Sequence, residues 1–192
     1  MIRAFVGVRL DSEVEKRIAA AQAALRPCIP GVRWVVEVNY HFTLKFLGAV
    51  SENRIPDIVN ALTEALAPFA PFVVSARGVG VFLDIRKPRV IWVGLNSTEL
   101  AELARAVEST LERIGFAREV RSFQAHLTLG RWRDPIKPGE ELRHEMARRK
   151  DEAFGDSVVK KVILFQSTLK PGGAVYSELE VFHLEKRRAE DC

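Results

Sequence analysis

Two tetrapeptides, His41-Phe42-Thr43-Leu44 and His126-Leu127-Thr128-Leu129, carry the same pattern 85 positions apart. In a β-strand, residues i and i+2 share a face. The histidine and threonine of each copy therefore project together, while the apolar residues between and after them point back into a core. A spacing near half the 192-residue length predicts two similar halves. Each would be a small antiparallel sheet with helices outside, an α+β fold with two lobes around a central cleft. If both strands line that cleft, two imidazoles face each other with a hydroxyl beside each.

The punctuation between the motifs fits this plan. Ile2 to Leu10 reads as a strand, followed by a helix that Asp11-Ser12-Glu13 opens and that runs to about Leu25. Val32 to Val36 is a short β-rich run, and His41 to Leu47 is the first motif strand, closed by Gly48. A second helix is expected from Ser51-Glu52 to Ala67, and a hairpin from Phe72–Phe82 and Arg89–Leu95 with the loop Leu83 to Pro88 between. Ser97 or Thr98 caps a third helix that ends at Gly115. The second half repeats the scheme: a motif strand from Phe123 to Arg131, a loop from Asp134 to Gly139, and a charged helix from Glu140 to Ala153. A hairpin from Val158–Leu169 and Val175–Leu184 follows, then a charged tail.

Several chemistries are poorly served by this chain. Zinc sites favour His-x-His or His-x-x-x-His with carboxylate or cysteine partners, and neither spacing occurs. His144 lies on the charged helix and His183 in the last strand, neither followed by a threonine two positions on. There is no Gly-x-Ser-x-Gly elbow and no phosphate-binding glycine loop; Gly78-Val79-Gly80 is a fragment inside a strand. Cys28 and Cys192 are the two cysteines, too few for a disulfide framework, so a reducing, cytoplasmic setting is expected. No run approaches the ~18 apolar residues of a membrane span, and the first residues lack the pattern of a signal peptide. The net charge of +4 tolerates a polyanionic partner.

Opposed histidines suit phosphodiester chemistry. An attacking water must lose a proton and a departing oxygen must gain one, and groups titrating near neutrality can do both. Threonine hydroxyls two positions on are placed to hold the non-bridging oxygens. Lys45 has the parity of His41 and Thr43 and would add positive potential to the cleft. Arg131 would contact phosphate only if a bulge near Gly130 turned it to the histidine face. Tyr176, Phe46 and Trp132 are candidates for base stacking, with a core or rim role as the alternative for each.

The segments HFTLKFLG and FQAHLTLGRW resemble the paired His-x-Thr-x motifs of the 2H phosphoesterase superfamily, in particular its RNA 2′,3′-cyclic phosphodiesterase branch, also called 2′-5′ RNA ligase. RAFVGV, the Trp34 run and STLKPGGAVYSEL extend the resemblance over most of the chain, as one bilobal domain of residues 1–192. Ala125 departs from it, standing where many members carry proline. The resemblance implies hydrolysis of an RNA 2′,3′-cyclic phosphate to a 2′-phosphomonoester without a metal or other cofactor. His41 would be the proton donor and His126 the proton acceptor, with Thr43, Thr128 and Arg131 binding substrate. The expected partner is RNA with a cyclic phosphate terminus, tRNA fragments and nucleotides included, and not a membrane. The oligomeric state is open, with a monomer as the default. A non-catalytic RNA- or nucleotide-binding module, and 2′-5′ ligation by the reverse chemistry, remain as alternatives.

Overall fold

A computed structural model describes residues 1–82, 85–133, 139–171 and 173–185. The expected loop Leu83 to Pro88 therefore lies partly outside the described residues, as do most of the loop from Asp134 to Gly139, Gly172 and the tail with Cys192. In chain order the strands are β1 (Ile2–Val8), β2 (Val32–Trp34), β3 (Phe42–Val50), β4 (Phe72–Phe82), β5 (Val90–Asn96), β6 (His126–Trp132), β7 (Ala153–Val159), β8 (Lys161–Lys170) and β9 (Gly173–His183). The helices are α1 (Ser12–Leu25), α2 (Ile55–Leu66), α3 (Thr98–Arg113) and α4 (Glu140–Arg149).

All nine strands join one antiparallel sheet in the order β7-β4-β5-β6-β3-β1-β8-β9, with β2 paired to β6. The two small sheets expected from sequence are the halves of this one, joined where β3 meets β6 through the single pair Phe42–Leu127. The hairpins are exchanged between the halves. β4–β5, from the first half of the chain, extends β6, and β8–β9, from the second, extends β1. β7 was not expected. Gly155, Asp156 and Ser157 lower its β-propensity, and a register shift between Ala76 and Arg77 interrupts its alternation against β4.

The helices cover one face. Phe42, Leu44, Leu127 and Leu129 join Val14 and Ile18 of α1, Ile58 and Leu62 of α2, and Leu103 and Val107 of α3 in one buried cluster. A smaller cluster of Phe5, Ile163 and Phe165, flanked by Tyr176 and Val181, lies apart from it. Asp11 precedes α1 as expected but does not cap it with its side chain. Its carboxylate accepts the Val158 N–H at 2.8 Å and its own N–H donates to Ser157 Oγ at 2.7 Å, pinning α1 to β7. Gly48 does not close the first motif strand: β3 continues to Val50, with Gly48 at φ 71° beside a register shift in β1.

A second shift, between Val6 and Gly7, reverses the parity of β3 after Leu44. Lys45 consequently points away from the histidine face, against expectation, and is only 5% exposed. Its Nζ donates to Glu108 Oε1 at 2.6 Å and to the Ala117 carbonyl at 2.8 Å. Glu108 Oε1 also accepts the Glu119 N–H at 2.9 Å. Lys45 thus fastens the segment after α3, which leads to His126, onto β3. Removing one partner of a buried ion pair leaves the other uncompensated. Lys45→Met is expected to lower the unfolding free energy by roughly 2–3 kcal/mol, less than for a fully buried pair because Glu108 still reaches solvent. Urea denaturation at neutral pH checks this.

Candidate active site

His41 immediately precedes β3 and His126 opens β6, so each imidazole stands where a strand enters the sheet. Both are held in the same way. His41 Nδ1 lies 2.8 Å from the Asn39 carbonyl, and His126 Nδ1 lies 2.7 Å from the Gln124 carbonyl. A carbonyl only accepts, so each Nδ1 carries the proton and each Nε2 keeps its lone pair. An amide residue two positions before each histidine, Asn39 and Gln124, extends the repeat upstream. The sequence itself carries that signal.

Aromatic rings flank both imidazoles. Phe5 of β1 packs on His41 at 4.8 Å between centroids, and Tyr176 of β9 meets it edge-on at 5.0 Å. Phe82 of β4 meets His126 edge-on at 4.6 Å. Burial disfavours the charged imidazolium, and lowers both histidines. His41 falls from its ordinary 6.5 to about 4, through burial first and then through the positive charges of Arg9 and Arg131 and the neighbouring His126; its bond to Asn39 opposes this. His126 is lowered by burial and by Arg131, against its bond to Gln124.

Arg131 is on the histidine face. The β5–β6 register shifts between Ile91 and Trp92, whose partners are Gly130 and Thr128, leaving Leu129 as the extra residue. This bulge reverses the parity of β6, and Arg131 Nη2 reaches Thr128 Oγ1 at 3.4 Å. The bulge carbonyl, Leu129 O, accepts the Val35 N–H at 2.8 Å and the Nε2 of buried Gln22 at 3.0 Å. Thr43 pairs with Gly7, where any Cβ would lie 2.8 Å from the Phe42 carbonyl.

Arg9, whose charge acts on His41, escaped the sequence reading. It follows β1, donates to the Val38 carbonyl at 2.7 Å and lies 5.6 Å over the Phe165 ring. Among the proposed stacking residues, Tyr176 adjoins His41, and Phe46 is 65% exposed, 6.0 Å from Phe5. Trp132 is instead buried and its indole donates to the Pro30 carbonyl at 3.2 Å. His144 and His183 are exposed. Among the described residues no three of His, Cys, Asp and Glu converge as metal ligands. None of the described helices is long and apolar enough to cross a membrane.

The family described as LigT-like phosphoesterase matches this chain twice, over residues 8–92 and 93–176. The chain belongs to the LigT-like phosphoesterases. Among its relatives, the RNA 2′,3′-cyclic phosphodiesterase of Methanothermobacter thermautotrophicus is 34% identical, over 95% of this chain and 99% of its own length. That of Archaeoglobus fulgidus is 36% identical, over 94% and 99%. A solved structure from Thermus thermophilus superposes with a TM-score of 0.81 at 29% identity, covering 97% of this chain and 100% of that one. The Escherichia coli LigT structure complexed with 3′-AMP shares the fold, with a TM-score of 0.76 at 24% identity, over 95% and 98%. The two family matches divide this LigT-like phosphoesterase so that each contains one histidine motif.

The depressed histidines bear on stability. An imidazole with a lower pKa in the fold than in the unfolded chain gives the unfolded chain the extra proton between those two values. Stability is therefore complete above pH 6.5 and falls as pH drops toward 4, by up to about 3 kcal/mol from His41, with His126 acting in the same sense. Denaturation midpoints between pH 7 and 4.5 should show the decline, and His41→Gln should flatten it.

Proposed function

We propose that this protein hydrolyses RNA 2′,3′-cyclic phosphates to 2′-phosphomonoesters with a free 3′-hydroxyl, by two-histidine acid/base catalysis in the cytoplasm. The observation that carries the reading is the matched pair of imidazoles. Each is tied through Nδ1 to the carbonyl two residues back, and both feel the charge of Arg131. The names of the relatives from M. thermautotrophicus and A. fulgidus support the substrate class.

The cyclic phosphodiester anion binds between Arg131 and the hydroxyls of Thr43 and Thr128. Its negative charge offsets the arginines and raises the basicity of both imidazoles. His126, neutral, takes the proton of a water as that water attacks phosphorus. His41, protonated through Nε2 once the anion is bound, gives its proton to the departing 3′ oxygen. The P–O3′ bond breaks as the new P–O bond forms, and the ring opens to the 2′-monoester. Threonine hydroxyls and the Arg131 guanidinium meet the charge that grows on the non-bridging oxygens. No step requires a Lewis acid.

Positioned acid and base groups are each worth roughly 10²–10⁴-fold. His41→Ala and His126→Ala should each lower kcat by about that factor on a cyclic-ended oligoribonucleotide while the far-UV spectrum stays unchanged. EDTA should leave the wild-type rate as it is, and mapping the product should find a 2′-phosphate. Full activity in either histidine variant, or a rate lost to EDTA and restored by zinc, would defeat the proposal. Binding of the RNA with no product between pH 5 and 9 would favour a non-catalytic module.

A further inference from the structure

The likeness of the two histidines ends at the carbonyls that hold them. Before His41 the chain makes one tight turn, Glu37–Asn39, none of whose residues is buried. The Asn39 N–H closes it on the Val36 carbonyl at 2.8 Å, and the Tyr40 N–H on the Glu37 carbonyl at 2.9 Å. Apolar packing therefore does little to fix this turn, and side-chain bonds to distant strands do it instead. The Asn39 amide nitrogen donates to the Ala174 carbonyl of β9 at 2.7 Å. Arg9, just past β1, donates to the Val38 carbonyl at 2.7 Å and stands 3.9 Å from the Glu178 carboxylate, also on β9.

Asn39 therefore makes two bonds with different consequences. Its backbone carbonyl accepts the His41 Nδ1–H at 2.8 Å, and its side chain fastens that carbonyl to a strand 135 positions away. A carbonyl offers no donor, so the amide presents its nitrogen to Ala174. Between Ala174 and Glu178 lies Tyr176, whose ring meets the His41 imidazole edge-on at 5.0 Å. β9 thus secures both the carbonyl and one of the rings that orient His41. The second motif has no counterpart. Gln124, whose carbonyl holds His126, is exposed, and its side-chain amide bonds to no other described residue. If the Asn39 carbonyl moved, His41 would lose its acceptor, and one hydrogen bond shifts a tautomer ratio by about tenfold at most. A free histidine side chain prefers its proton on Nε2, so without that acceptor Nε2 would no longer be the nitrogen that takes up the catalytic proton.

We propose that Asn39 is a positioning residue for the proton donor: its side-chain amide ties the turn before β3 to β9 and, together with Arg9, holds the carbonyl that keeps the His41 proton on Nδ1. The proposal rests on the RNA cyclic phosphodiesterase reading for the role of His41, and adds what sets that histidine's tautomer and orientation. Neutral His41 in this state accepts a proton only through Nε2, the nitrogen that gives it to the leaving 3′ oxygen. Asn39 touches no reacting atom in this scheme, so its removal slows the chemical step and leaves substrate binding as it is.

The test uses protein labelled with ¹⁵N-histidine, whose four imidazoles give separate nitrogen signals at neutral to mildly basic pH; those of His41 are the ones lost in His41→Gln. In the wild type, His41 should show a protonated Nδ1 and a bare Nε2. In Asn39→Ala, both nitrogens should move toward the averaged positions of mixed tautomers, while those of His126 stay in place. On a cyclic-ended oligoribonucleotide, kcat of Asn39→Ala should fall about ten- to hundredfold, the cost of a misplaced catalytic group, with KM unchanged. Unchanged His41 signals, an unchanged kcat, or a loss confined to KM overturns the positioning role, whatever happens to stability. Should Asn39→Ala not fold, Arg9→Met, which frees the Val38 carbonyl, reads the same signals and rates. The two readings fail separately. Wild-type protein that opens no cyclic phosphate, but whose His41 tautomers mix in Asn39→Ala, defeats the phosphodiesterase reading alone. Wild-type hydrolysis that Asn39→Ala matches in signals and rate defeats the positioning role alone.

Discussion

The two halves of the sheet meet at one residue pair, Phe42 and Leu127, and the geometry of the cleft depends on it. Extending that antiparallel register by one position sets His41 opposite Thr128 and Thr43 opposite His126, which is the local pseudo-twofold. A slip of one residue in either strand would send its histidine and threonine into the helix side and its Phe or Leu into the cleft. What resists the slip is burial. Phe42 and Leu127 are both essentially inaccessible, and each side chain of this size contributes roughly 1.5–3 kcal/mol when removed from water. Apolar packing on the helix face thus sets the spacing of polar groups on the other.

The exchange of hairpins strengthens this coupling. Neither half of the chain completes its own half of the sheet, since β4–β5 extends β6 and β8–β9 extends β1. α1 leaves β1 and packs against β7 at the far edge, where Asp11 is bonded to Ser157 and Val158. Gln22 of the same helix holds the carbonyls of Val35 and Leu129. One helix therefore spans from the edge strand to the bulge that aims Arg131. Lys45 does the corresponding work on the other side, tying the approach to His126 onto the strand of His41.

The histidines and threonines were legible because a period of two is written directly into the motif, and each stands on the strand face its parity assigns. Lys45, Phe46 and Arg131 lie past bulges, where parity inverts. A bulge is set by the partner strand, and no pattern within HFTLKFLG announces one. Parity alone therefore puts Lys45 on the wrong face, and puts Arg131 on the right one only if a bulge intervenes. Trp132 shows a different limit. Its spacing from His126 left its surroundings open, and the Pro30 carbonyl that holds it comes from a turn far away in sequence. Arg9 and Phe82 lie outside both motifs, and only the order of strands, which periodicity does not encode, brings them to the histidines. The exchange of hairpins escaped the sequence for the same reason.

The charge state of the cleft follows from these placements and gives the proposed mechanism its order of events. Burial and Arg131 lower both imidazoles, and Arg9 lowers His41 further, so both stand neutral with Nδ1–H committed to backbone carbonyls. A site in that state has a ready base and no ready acid. A phosphodiester anion changes this, because a negative charge beside an imidazole favours its protonated form while the arginine charges are being neutralised. His41 is lowered by burial first and then by the charges of Arg9, Arg131 and His126, and it is those charges that a bound anion offsets. On the proposed reading, binding the substrate is thus what creates the proton donor. Water alone does not charge the acid, and the proton is taken up where the leaving oxygen will need it.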